Sequence, residues 1–348
     1  VTIDSTGQLY MTGSFGGGGG GRFESGTGTA STKPITLTNT VAGNCAIILN
    51  GADGCAQGRS DIVGGDGNCS FGDNNNTGTG RNIVLGGQNN ILAPGGTSPS
   101  TRNALNYIIG GISNVVSGSR CGGILGGSAN KIFGVVITGT EYSTAGNHIL
   151  GSCSGTIGHA GDPGVGPGNS IIVGGVTNCI SGSINSIFAS NNSNIDLYVK
   201  NSSIISSCGQ ILPPKPGSTT VTQYNSIVST QDGKIVGACY SHVMGARQSC
   251  ISGSQSAIVI GGFQNCISGS CANNNCFGNI IAGGCCGQIF GGGGNIVMGG
   301  SANHIGVTGL SCCSTVLGGY NHDINSSVNS QILGGNGNCI QDGVRSSI

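Results

Sequence analysis

From residue 45 onward, isoleucine and valine return at a spacing that fits neither an amphipathic helix nor an isolated strand. Position zero is set at the first residue of each Gly-Gly pair or its equivalent. Zero then falls at Asn50, Gly64, Gly86, Gly110, Gly126, Gly151, Gly174, Ala189, Ile205, Ser229, Gly245, Gly261, Gly283, Gly299, Gly318 and Gly334. The commonest interval is 16 residues and the longer ones run from 19 to 25, as for a fixed coil that sometimes carries a loop. Repetition at one period predicts a parallel β-solenoid, an all-β fold of stacked coils.

The columns of this repeat carry physical meaning. Two residues before zero stand Ile172, Val259, Val297, Val316 and Ile332, and six after it Ile180, Ile267, Ile305, Ile324 and Ile340. Stacked β-branched columns predict two short strands per coil with these residues as the core. Four after zero stand Asn68, Asn90, Asn114, Asn130, Asn178, Asn265, Asn303 and Asn338. Asparagine tolerates a left-handed backbone, so this column is expected at a turn. One before zero lies another apolar column, with Val173, Ile260, Met298, Leu317 and Leu333, and with Ile204 where zero is Ile205. Adjacent strand residues face opposite sides, so the outer face is apolar too. Such a stripe is costly on a monomer. A coil with three or so sides suits a three-fold bundle, and a homotrimer with that column as its interface is expected.

Composition narrows the class. Of 348 residues 71 are Gly, only 7 % are charged and none is Trp, which excludes an ordinary helical or α/β protein. Twelve Lys and Arg balance twelve Asp and Glu, so no net field draws in nucleic acid. No apolar run approaches the ~18 residues of a membrane-inserted span. The first 43 residues lack the repeat. There VTIDSTGQLYMTGSF reads as one or two strands, and the glycines at 16–21 as a connector. Residues 44–348 form the repeat domain of about sixteen coils.

Candidate chemistry is sparse. His148, His159, His242, His304 and His322 make no zinc spacing, and the densest acids are Asp53, Asp61 and Asp66. The seventeen cysteines include no CxxC and read mainly as small apolar fillers. Cys69, Cys179, Cys250, Cys266 and Cys339 share the column five after zero. Cys250 and Cys266 are one coil apart, so they stack about 4.8 Å apart. No catalytic, cofactor or metal site is expected, and the chain is not expected to be an enzyme. Loops are expected at residues 71–81, 93–107, 133–147, 159–168, 212–224, 268–279 and 306–314. The most distinctive carry Lys215 and Tyr224 (LPPKPGSTTVTQY) and His159 and Asp162 (HAGDPGVGPG), which are the candidate binding residues.

The phrases NSIIVGGVTNCISGS, SAIVIGGFQNCISGS and NIVMGGSANHI resemble the β-roll heads of trimeric autotransporter adhesins. They are similar as well to GG-x-x-N repeats in fibre proteins of phages and large DNA viruses. The resemblance covers residues 45–348. It implies a left-handed parallel roll, a homotrimer, and adhesion to a host-surface glycan or receptor through exposed loops. The coil spacing, the absence of a following heptad stalk or membrane anchor, and the cysteine content depart from the bacterial adhesins. They favour a virion-surface fibre, extracellular in action, partnered by itself and by other virion or fibre proteins. A bacterial adhesin head and a β-solenoid polysaccharide-degrading enzyme are the alternative expectations.

Overall fold

The computed structural model describes residues 2–3, 9–10, 23–25, 32–34, 40–42, 47–49, 53–57, 60–71, 82–93, 106–134, 144–158, 168–213, 222–269, 278–306 and 311–348. The described residues are strands, bridges and corners, with no helix. The chain divides into two compact units, Val1–Thr177 and Asn178–Ile348. Each is a stack of coils held by two parallel ladders.

One coil of the second unit, residues 245–260, shows the plan. Gly245 turns the chain in the left-handed region (φ 60°), Arg247 makes a single bridge to the next coil, and Gln248 turns it again (φ 52°). Strand Cys250–Ser252 follows, with Ile251 inward and fully buried. Gly253 and Ser256 then repeat the two left-handed turns around a bridge at Gln255, and strand Ile258–Ile260 closes the coil. A coil is therefore two eight-residue halves, each a three-residue strand plus a one-bridge corner. The two short strands per coil are those the sequence predicts, and the coil has two corners in place of the three or so sides invoked for a three-fold bundle.

The ladders keep strict register. In the first unit Ile62, Val84, Ile108, Ile124, Ile149 and Ile172 stack as direct partners, all buried. In the second Val243, Val259, Ile281, Val297, Val316 and Ile332 do the same. Opposite them, Ile251, Ile267, Ile289, Ile305, Ile324 and Ile340 form the other inner column. Burying each such side chain contributes roughly 1.5–3 kcal/mol. Ahead of the repeat, Thr2–Ile3 pairs antiparallel with Leu9–Tyr10, and Phe23–Ser25 with Thr32–Pro34. Thr40–Ala42 already pairs parallel with Cys55–Gln57, so the ladder begins before residue 44.

One register assignment from sequence is corrected. Ile204, placed on the outer column, is 0 % exposed, and Ile205 is the outward residue at 37 %. Zero in that coil is Ser206, which takes the left-handed turn (φ 49°). The corner that follows is one residue short, so the ladder slips between Cys208 and Gly209.

The two glycines of a pair have different tasks. A Cβ on Gly86 would meet open space, so only its left-handed φ of 66° selects glycine. A Cβ on Gly87 would collide with the Asn90 amide and the Gly111 carbonyl of the next coil. Gly86→Ala should therefore cost about 1 kcal/mol, and Gly87→Ala several-fold more, because backbone must move. Thermal unfolding of the two variants checks this; equal losses would refute the assignment.

Candidate association face and loop edge

The asparagine column was expected to supply the left-handed residue of the turn. It does lie at a corner, but the left-handed residue is its predecessor: Asn89, Ser113, Ala129, Thr177, Gln264 and Ala302 have φ of 52–56°. Asn68, Asn90, Asn114, Asn130, Asn178, Asn265 and Asn303 point inward and are buried, and Asn338 is half-buried. Their side chains form a ladder. In the first unit the backbone N–H groups of Asn90, Asn114 and Asn130 donate to Oδ1 of the asparagine one coil before, at 3.0, 3.1 and 3.0 Å. Gly155 N–H donates to Asn130 Oδ1 at 2.8 Å, and Asn130 Nδ2 donates to the Ser152 carbonyl at 2.7 Å. In the second unit Asn265 Oδ1 accepts from Gly287 N–H (2.9 Å), and Asn303 Nδ2 donates to the Gly318 carbonyl (3.0 Å).

A second such column escaped the sequence reading. Asn106, Asn147, Asn185, Asn225, Asn279 and Asn295 stand four residues before their left-handed zero positions and are equally buried. Asn225 Oδ1 accepts from Ser241 N–H at 2.9 Å while its Nδ2 donates to the Ala238 carbonyl at 2.7 Å. The signal was present in phrases such as NIVMGGSAN, where asparagine flanks Gly299 at both minus and plus four.

In the second unit the outward faces of the two strands differ. First strands show apolar pairs: Ile83 with Leu85, Ile171 with Val173, Ile258 with Ile260, Ile296 with Met298. Ile260, Met298 and Leu333 are 44, 48 and 60 % exposed; Leu317 is exposed and Val173 half-buried. The second strands of the second unit instead carry Lys234, Cys250, Cys266, Gln288, His304 and Asp323 in one outward column.

Insertions also choose sides. In the first unit residues 72–81, 94–105, 135–143 and 159–167, and in the second 214–221, 270–277 and 307–310, all lie between a second strand and the next first strand. The glycine corners carry none of them. These segments, and with them Lys215, His159 and Asp162, lie outside the described residues. Tyr224 stands at the edge of one, exposed and stacked on Tyr240 with ring centroids 5.0 Å apart.

Among the described residues the titratable groups do not converge on one place. His304 Nδ1 lies 3.0 Å from Asp323 Oδ1, His242 Nδ1 2.6 Å from Ser226 Oγ, and His148 stacks on Tyr107. Burial holds the His148 imidazole below its ordinary pKa. Asp53 and Asp66 are exposed. Among the described residues no three His, Cys, Asp or Glu side chains gather as a metal site. At the shortened corner a polar groove of about 350 Å³ opens between Asn192 and Asp232, lined also by Cys208, Gln210 and Lys234. No family model matches the chain, and no curated protein matches it.

His322 occupies the asparagine column and is fully buried. Its Nδ1 accepts from Asn338 N–H at 3.2 Å, while Nε2 is buried with no partner. His322→Asn should supply an amide donor toward the flanking glycine carbonyls, as Asn303 does, and stabilise the chain by about 1 kcal/mol. Denaturant unfolding checks the sign; destabilisation would mean the imidazole fills space the amide cannot.

Proposed function

We propose that this chain is a non-enzymatic, homotrimeric fibre protein with a left-handed roll, displayed on a virion surface and adhering to host glycan or receptor. The observation that carries this reading is the asymmetry of the coil: in both units the insertions leave from one corner, and in the second unit the outward faces of the two strands differ as well. The first-strand face is apolar, bordered by glycine corners free of the long insertions. The insertions leave from the other corner. Contiguous exposed apolar surface of this kind marks an interaction site, and a bare, regular face admits close approach of copies of itself.

In the proposed trimer Val173, Ile260, Met298, Leu317 and Leu333 are covered and the loop edges point outward. Each loop is then presented three times, so weak contacts to a surface glycan add through avidity. Parallel ladders supply stiffness, since each coil is hydrogen-bonded to its neighbours through backbone and asparagine side chains.

Light scattering should give about three times the 34.1 kDa chain mass. The double substitution Ile260→Asp with Met298→Asp should yield monomers whose far-ultraviolet circular dichroism is unchanged. A wild-type monomer would overturn the reading. Deleting residues 214–221 should leave the trimer intact and weaken binding to cells or immobilised glycans; undiminished binding would remove that loop from the proposal.

A further inference from the structure

The outward column of the second unit runs Gln210, Lys234, Cys250, Cys266, Gln288 on successive second strands, each the direct register partner of the next. Parallel register partners lie about 4.8 Å apart, inside the Cα separation a disulfide spans. Both thiols are half-buried, and Cys266 is the direct register partner of Cys250 on the neighbouring coil. Lys234 stands on the far side of Cys250, beside the polar groove at the shortened corner. We infer that Cys250 is a modification site: a reactive thiol that peroxide oxidises and that Cys266 then caps as a disulfide between neighbouring coils.

The two cysteines are not equivalent. Cys250 is brought down to about 7, first by the hydrogen bond from Cys266 and then by the Lys234 ammonium, against the opposing effect of burial. Cys266 is pushed up, because its proton is the one held in that hydrogen bond and because it too is buried. Cys250 is thus the attacking thiolate and Cys266 the resolving thiol. Two other described cysteines shift the opposite way from Cys250. Burial raises Cys179. Cys286, whose Sγ lies 3.1 Å from that of Cys285, is raised by the hydrogen bond with its neighbour.

The chemistry closes without a further reactant. The Cys250 thiolate attacks one oxygen of a hydroperoxide; the S–O bond forms, the O–O bond breaks and hydroxide or alkoxide leaves. Sulfur is oxidised by two electrons and the peroxide reduced by two. Cys266 then loses its proton and attacks the Cys250 sulfenic sulfur. The S–S bond forms, the S–O bond breaks, and the departing hydroxide takes up the proton as water. Parallel partners hold their Cβ atoms pointing alike, so the disulfide is reached by rotating both side chains. The product is strained and readily reduced. Its effect is to tie one coil covalently to the next, and it does not depend on the fibre reading.

The test uses the full chain, fully reduced. Pulsed alkylation with site-resolved mass spectrometry across pH should give Cys250 a midpoint near pH 7 and, at neutral pH, a rate about tenfold above Cys286. Stoichiometric hydrogen peroxide should then link Cys250 to Cys266 with loss of two hydrogens, reversibly with dithiothreitol. In Cys266→Ser the same treatment should leave a dimedone-reactive sulfenate on Cys250, and Lys234→Gln should slow alkylation at Cys250 alone. Alkylation of Cys250 no faster than of Cys286, or oxidation that leaves Cys250 and Cys266 unlinked, would overturn the inference.

Discussion

Every coil must turn corners, and at each corner the backbone carbonyl and N–H groups that cannot join a ladder are aimed into a dry interior. An unpaired buried group of this kind costs roughly 1–3 kcal/mol, and each coil has two such corners. The inward asparagines remove that cost. Asn130 shows the arrangement, with an acceptor for the Gly155 N–H of the coil above and a donor to the Ser152 corner carbonyl. The apolar columns supply the larger favourable term, but isoleucine would pack in many registers. The amide pattern fits one, because a slip by a single residue would strand both partners.

The same constraint explains the glycines. For the amide of Asn90 to reach its partners, the chain at Gly87 must pass so close to the next coil that no Cβ fits. Gly-Gly followed by asparagine three residues later is then a single device, a corner closed by a side chain from within. Serine can take the place of asparagine where the reach is shorter. Ser241 Oγ accepts from Ala257 N–H at 3.2 Å.

Much of this was legible in the sequence because parallel stacking converts three-dimensional neighbours into a fixed spacing. The inner columns and the two strands per coil follow directly from Ile and Val two before and six after zero. What spacing cannot carry is direction. Asn90 and Asn89 are adjacent, both are asparagine, and only geometry assigns the buried ladder to the first and the left-handed turn to the second. The second asparagine column was hidden because inserted loops separate it from the preceding coil; counted backward from the next glycine it is regular. The slip at Ile204 has a different origin. Removing one residue from a corner leaves the period of the downstream column intact while displacing the upstream one, so a sequence count finds both columns and misassigns one.

Stacking also decides what chemistry the outer surface can hold. A column repeats its environment every coil, so like charges in register would repel at about 4.8 Å. The outward column of the second unit avoids this by alternation: Lys234 meets a thiol, Cys250 meets Cys266, and His304 meets Asp323. The first-strand column avoids the same problem at Ile258, Ile280 and Ile296, which carry no charge and are half-buried. Polar solutions are stable against water; apolar ones call for a cover. In the second unit the two solutions stand on different strands of one coil, so the coil's two strand faces differ in chemistry.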